Sequence, residues 1–91
     1  MQIAVISFTR NGKELADKIA GYLSEEGYEV TTYIKCNGVQ GSITESLGEW
    51  TGRMFRKRDA LIYVGAAGIA VRAIAPYVES KTSDPAVLVA D

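Results

Sequence analysis

A chain of 91 residues has room for one domain with one modest core, which its 47% hydrophobic content can fill. Ten basic against eleven acidic residues leave a net charge of −1, so neither nucleic acid nor an acidic membrane is expected as a partner. With no histidine and one cysteine, Cys36, the sequence excludes an internal disulfide, His-based triads and most zinc sites, and fits a reducing, cytosolic setting.

Residues 3–8 form a continuous apolar run rich in β-branched side chains and predict a strand buried on both faces. No leader is expected, because that run is short and lacks a basic flank. Asn11 and Glu14 follow at capping-box spacing. Leu15, Ile19 and Leu23 recur at steps of four and predict the first helix, with Gly27 as its stop. Residues 28–35 carry Val30, Thr31, Thr32, Tyr33 and Ile34 and predict a second strand. Residues 36–41 read as a loop.

Ser42 and Glu45 make a second S-x-x-E box. Ile43, Leu47, Trp50 and Met54 then mark a second amphipathic helix, with Trp50 as a core residue. Arg53, Arg56, Lys57 and Arg58 read as solvated charges that complement the helix dipole. Residues 60–65 predict a third strand. Residues 68–78 predict a third helix, apolar nearly all round except at Arg72 and therefore largely buried, which Pro76 should kink or end near Ala75. This longest apolar stretch is too short to span a bilayer, so no membrane association is expected. Residues 80–85 read as a polar turn and residues 86–90 as a fourth strand.

The order βαβαβαβ with short links predicts an α/β domain over residues 1–91: a three-layer, doubly wound sheet of four parallel strands in flavodoxin-like order 2-1-3-4. The fourth strand is apolar and has no following helix to cover it. It is expected to be covered by a second copy of the chain, as a homodimer through this strand, or by a further part of a longer protein.

In such sheets ligands bind beyond the carboxyl ends of the strands, where strand order reverses. Here that crevice falls between Thr9, Arg10, Asn11 and Gly12 on one side and Gly65, Ala66, Ala67 and Gly68 on the other. Both loops open helix N-termini, which attract anions. Arg72 follows one turn later and suits a carboxylate, with a solvated arginine as the alternative. Lys81 and Asp84 could position a ligand, or Asp84-Pro85 could be ordinary turn chemistry. Cys36 sits beside Asn37 and Gly38 in a loop and reads as incidental, since thiol reactivity needs an electropositive partner. Asn11-Gly12-Lys13 is no P-loop, because Ser7 and Glu14 stand at discriminating positions.

The run Gly65-Ala66-Ala67-Gly68-Ile69-Ala70-Val71-Arg72-Ala73-Ile74-Ala75-Pro76, followed by Lys81 and Asp84-Pro85-Ala86-Val87, resembles the cobalamin-biosynthesis CbiG family of cobalt-precorrin 5A hydrolases. The likeness is to that family's G-x-x-G-I-x-x-R-x-I-A-P and K-x-x-D-P-A-V patterns. It implies the N-terminal, substrate-binding region of a longer enzyme that opens the ring A δ-lactone of a cobalt-corrinoid, releasing acetaldehyde. It also implies substrate contacts at Thr9, Arg10, Gly65, Gly68, Arg72, Lys81 and Asp84. Cobalt would arrive inside the substrate, so neither a cofactor nor a protein metal site is expected. The family continues past the D-P-A-V strand into a Ser-Gly-His segment and a further domain. The chain by itself is therefore expected to be inactive, and no catalytic residue is assigned. The alternative is a non-catalytic flavodoxin-like module holding a phosphate-bearing ligand at residues 9–12.

Overall fold

The computed structural model describes residues 1–65, 67–79 and 84–90. In chain order they form β1 (Gln2–Ser7), α1 (Arg10–Glu25), β2 (Glu29–Ile34), α2 (Leu47–Lys57), β3 (Ala60–Val64), α3 (Ala67–Ile74), a 3-10 turn (Ala75–Tyr77) and β4 (Ala86–Ala90). The strands pair in the order β2-β1-β3-β4 and every pairing is parallel. This is the doubly wound arrangement that the alternating pattern predicts.

β1 and β3 occupy the middle of the sheet, and their apolar runs are buried on both faces for that reason. On one face Ala4, Ile6, Leu61 and Tyr63 meet Trp50 and Met54 from α2 and Ala70 from α3. On the other, Ile3, Val5, Ile62 and Val64 meet Ala16, Ile19 and Leu23 from α1. The Trp50 indole is the largest fully buried side chain. It lies edge-on to Tyr33 at 5.2 Å and to Tyr63 at 6.0 Å between ring centroids, the T-shaped geometry that aromatic quadrupoles favour.

Two helix starts differ from the sequence expectation. The cap of α1 is Thr9, not Asn11: Thr9 Oγ1 accepts the Gly12 N–H at 2.9 Å, so the helix starts at once after β1. The cap of α2 is Ser46, not Ser42: Ser46 Oγ accepts the Glu49 N–H at 3.1 Å, and the Glu49 carboxylate lies 3.1 Å from that hydroxyl. Ser42 instead closes the preceding loop by accepting the Cys36 N–H at 3.0 Å. The sequence offers two S-x-x-E boxes four residues apart. The later one wins because Ile34 and Ser42 form an isolated bridge, in which the Ile43 N–H donates to Ile34 O at 2.8 Å.

The stop of α1 is as expected. Gly27 takes a φ of 95°, and the N–H groups of Gly27 and Tyr28 close back on Ser24 O and Leu23 O at 3.0 and 3.1 Å. That pairing is a Schellman motif. The third helix departs most from expectation. α3 buries Ala70 and half-buries Ile74, whereas Val71 is 60% exposed. One face of a two-turn helix is enough to meet α2, so the remaining apolar side chains stay outside. It ends at Ile74, where the 3-10 turn containing Pro76 begins. Among the described residues no helix is long and apolar enough to cross a membrane.

Candidate functional site

β1 and β3 lie side by side, and the chain leaves them in opposite directions across the sheet. That divergence opens a crevice of about 360 Å³ at their carboxyl ends. β1 and its exit supply Phe8 and Thr9; α1 supplies Asn11, Gly12 and Leu15. The far wall is Val64, Gly65 and Ile69, from β3, its exit and α3. Gly65 has a φ of 146°, a backbone that side chains rarely adopt. A Cβ built on it would stand 3.3 Å from the Phe8 ring. The Gly65 N–H donates to Ala90 O at 2.8 Å, which fastens this exit to the end of β4.

Among the described residues the walls carry no charged side chain. Phe8, Leu15, Val64 and Ile69 make them mainly apolar, with polar atoms from Thr9 and Asn11 at the mouth of α1. Among the described residues, two groups with displaced acidity lie elsewhere. Burial pushes the Tyr63 hydroxyl above the usual tyrosine range, partly opposed by its 2.9 Å hydrogen bond with Thr51 Oγ1. The Arg53 guanidinium is raised by its hydrogen bond and ion pair to Glu45. No group of three or more His, Cys, Asp or Glu side chains is gathered in metal-binding geometry among the described residues.

The structure brings Thr9 and Gly65 together in the crevice. Arg10 and Gly68 are exposed on the first turns of α1 and α3, the helices that flank it. Arg72 is also exposed. At about 100° per residue it stands roughly 200° round α3 from the buried Ala70, on the side away from the core. Asp84 lies at the opposite, amino-terminal end of the strands. It precedes Ala86, which pairs with Ala60 at the start of β3. At about 3.3 Å per residue, the carboxyl ends of those strands lie roughly 13 Å away from this end. There Asp84 Oδ2 accepts the Glu79 N–H at 2.8 Å, beside Phe55, Arg56 and Tyr77. Lys81 and Ala66 lie outside the described residues. Phe8, Leu15 and Ile69, the apolar walls, were not singled out by the sequence. Leu15 shares the periodicity of Ile19 and Leu23, yet it is 36% exposed, because it overhangs the end of the sheet.

Comparison with known proteins agrees with this architecture. The family described as Cobalamin synthesis G N-terminal matches residues 49–91. A curated relative, the Cobalt-precorrin-5A hydrolase of Salmonella typhimurium strain LT2, is 35% identical over 94 residues, covering 98% of this chain and 25% of that protein. The chain thus spans about a quarter of the length of the curated relative it matches. A solved structure of a cobalamin biosynthesis protein G homolog from Sulfolobus solfataricus shares the fold, with a TM-score of 0.73 at 24% identity, over 97% of this chain and 25% of that one. The chain is thus similar to the N-terminal region of the cobalamin synthesis G family, through the family match over residues 49–91 and a relative aligned over 98% of the chain.

Proposed function

We propose that this chain is the substrate-holding N-terminal region of a cobalt-precorrin-5A hydrolase in cobalamin biosynthesis. In that reaction the ring A δ-lactone is opened and a two-carbon unit leaves as acetaldehyde, giving cobalt-precorrin 5B. One observation carries the reading: an apolar crevice of about 360 Å³ lies at the strand-reversal point of a chain 35% identical to such a hydrolase. The rim of a large macrocycle would rest against Phe8, Leu15 and Ile69, with Gly65 letting it approach the backbone. Thr9 would meet it from the mouth of α1. Arg10, Gly68 and Arg72, exposed on the flanking helices, would meet parts of the substrate that extend beyond the crevice. Cobalt would come as part of the substrate. The mainly apolar walls favour a ligand with a large apolar body over a small phosphate-bearing one.

Lactone hydrolysis needs a base for water and donors for the oxyanion. This region would position substrate, and those groups would come from another part of the enzyme. The test is a titration of the chain with cobalt-precorrin 5A, following corrinoid absorbance and acetaldehyde in the same tube. Binding without acetaldehyde is the expected result. Acetaldehyde release would place the catalytic groups within these 91 residues. Absence of both would refute substrate binding by this region.

A further inference from the structure

A second depression, of about 440 Å³, adjoins the crevice and shares two of its walls, Phe8 and Ile69. Its other lining comes from the loop after β2 and the start of α2 and includes Lys35, Cys36, Ile43 and Leu47. Its chemistry is more polar than that of the crevice: Lys35 stands with Asn37 and Ser42 beside the apolar walls. Lys35 is half-buried, and its ammonium donates to the backbone carbonyl of Glu45 at 3.0 Å. The carboxylate of Glu45, the nearby group that could neutralise it, is engaged by Arg53 instead. Among the described residues Lys35 forms no ion pair. A lysine ammonium has three donors, and the carbonyl takes one.

We infer that this depression is a carboxylate subsite, in which Lys35 binds an acidic arm of a ligand whose apolar body lies across the Phe8–Ile69 ridge in the crevice. The identity of that ligand as a carboxylate-fringed corrinoid rests on the proposed function; the subsite itself rests on the lysine and its walls. The Glu45 carbonyl holds the ammonium in place before the ligand arrives, which lowers the ordering cost of binding. The half-buried Phe8, Ile43 and Leu47 displace part of the water around a bound carboxylate and strengthen the charge pair. The Arg53–Glu45 pair keeps the competing internal carboxylate away from the lysine.

The test compares a cobalt corrinoid carrying free acetate and propionate groups with the same corrinoid methylated at every carboxylate. The wild-type chain is expected to bind the free acid at least about tenfold more tightly, as a charge-assisted hydrogen bond implies. Lys35→Met should remove most of that preference and leave the affinity for the ester unchanged, and Lys35→Arg should keep part of it. Amide spectra of both variants check that the fold is retained. If the free acid binds but Lys35→Met keeps the preference, the subsite is wrong and the proposed function stands. If neither corrinoid binds, the proposed function fails, and 3-phenylpropionate against its uncharged amide decides the subsite. Amide shifts at Lys35, Cys36 and Ile43 that favour the acid and vanish in Lys35→Met would support it; no such shifts would overturn it.

Discussion

Gly52 and Tyr77 offer a test of how α3, and with it one wall of the crevice, is held. Gly52 is buried in α2, and a Cβ there would stand 2.7 Å from Tyr77 Cζ and Oη. Tyr77 ends the 3-10 turn after α3, donates to Gly48 O at 3.0 Å and packs on Phe55 at 6.2 Å between ring centroids. α3 itself buries only Ala70 fully among its described side chains, so this latch carries much of its docking. In Gly52→Ala the Tyr77 ring swings out, because a side chain yields more easily than two helices. Alanine favours the helix by about 1 kcal/mol. Against that stand a lost hydrogen bond of about 1 kcal/mol and lost ring packing of about 1 kcal/mol more. The net destabilisation is about 1 kcal/mol. In a Tyr77→Ala background the clash is gone, and Gly52→Ala should stabilise by about 0.5–1 kcal/mol. Urea unfolding of the four chains measures the coupling, expected near 2 kcal/mol. Faster amide exchange across α3 should accompany the single variant. A coupling below about 0.5 kcal/mol, with Gly52→Ala stabilising in both backgrounds, would refute the latch.

Ser46→Ala should cost about 1 kcal/mol and fray the start of α2, as loss of a cap does; Ser42→Ala should leave the helix intact and loosen the loop at Cys36, and amide exchange distinguishes the two. Tyr63 holds its proton more tightly in the folded chain than in the unfolded one. Its contribution is therefore present below the unfolded value of about 10 and is lost as pH rises beyond it. Tyr63→Phe should flatten that alkaline decline and cost about 1–2 kcal/mol at neutral pH by leaving the buried Thr51 hydroxyl unpaired, as urea midpoints against pH would show. Leu15→Gln should shift stability by less than about 1 kcal/mol, since Leu15 is 36% exposed, yet weaken corrinoid binding measured by absorbance. β4 is the sheet edge and shows Leu88 at 52% and Val89 at 41% exposure. The chain should self-associate through it at micromolar concentration by light scattering, and Leu88→Lys should yield a monomer.

The topology was legible because strand burial and link length leave a recognisable trace. Residues 3–8 and 60–65 are apolar without alternation, which only central strands of a parallel sheet require. The short links then demand right-handed crossovers and leave few orders to choose from. Helix starts were less legible, because capping is a contest between local partners. Ser42 and Ser46 both precede a glutamate at the same spacing, and the bridge between Ile34 and Ser42 decides which is free to cap α2. The exposure of α3 departs from its hydrophobicity for a different reason. Hydrophobicity around a whole helix implies burial only where neighbours exist on every side, and α3 has a neighbour on the face of Ala70 and Ile74.

The candidate site divides along the same line. Position in the topology predicted the crevice at Thr9 and Gly65, because the point of strand reversal follows from strand order alone. Its chemistry did not follow from that position. Helix starts suggested an anion, whereas the side chains that fill the opening are Phe8, Leu15 and Ile69. Leu15 was hidden by the periodicity that also places Ile19 and Leu23 against the sheet, and only the point where β1 stops shows that it projects past the edge. The charge that an acidic ligand needs lies one strand over, at Lys35, and the sequence alone gives no reason to connect it with Phe8 or Ile69. That connection depends on the loop after β2 folding back through Ser42, which carries Ile43 and Leu47 to the same wall. A macrocycle with an apolar face and acidic arms needs both surfaces together, and the β2 loop is what joins them.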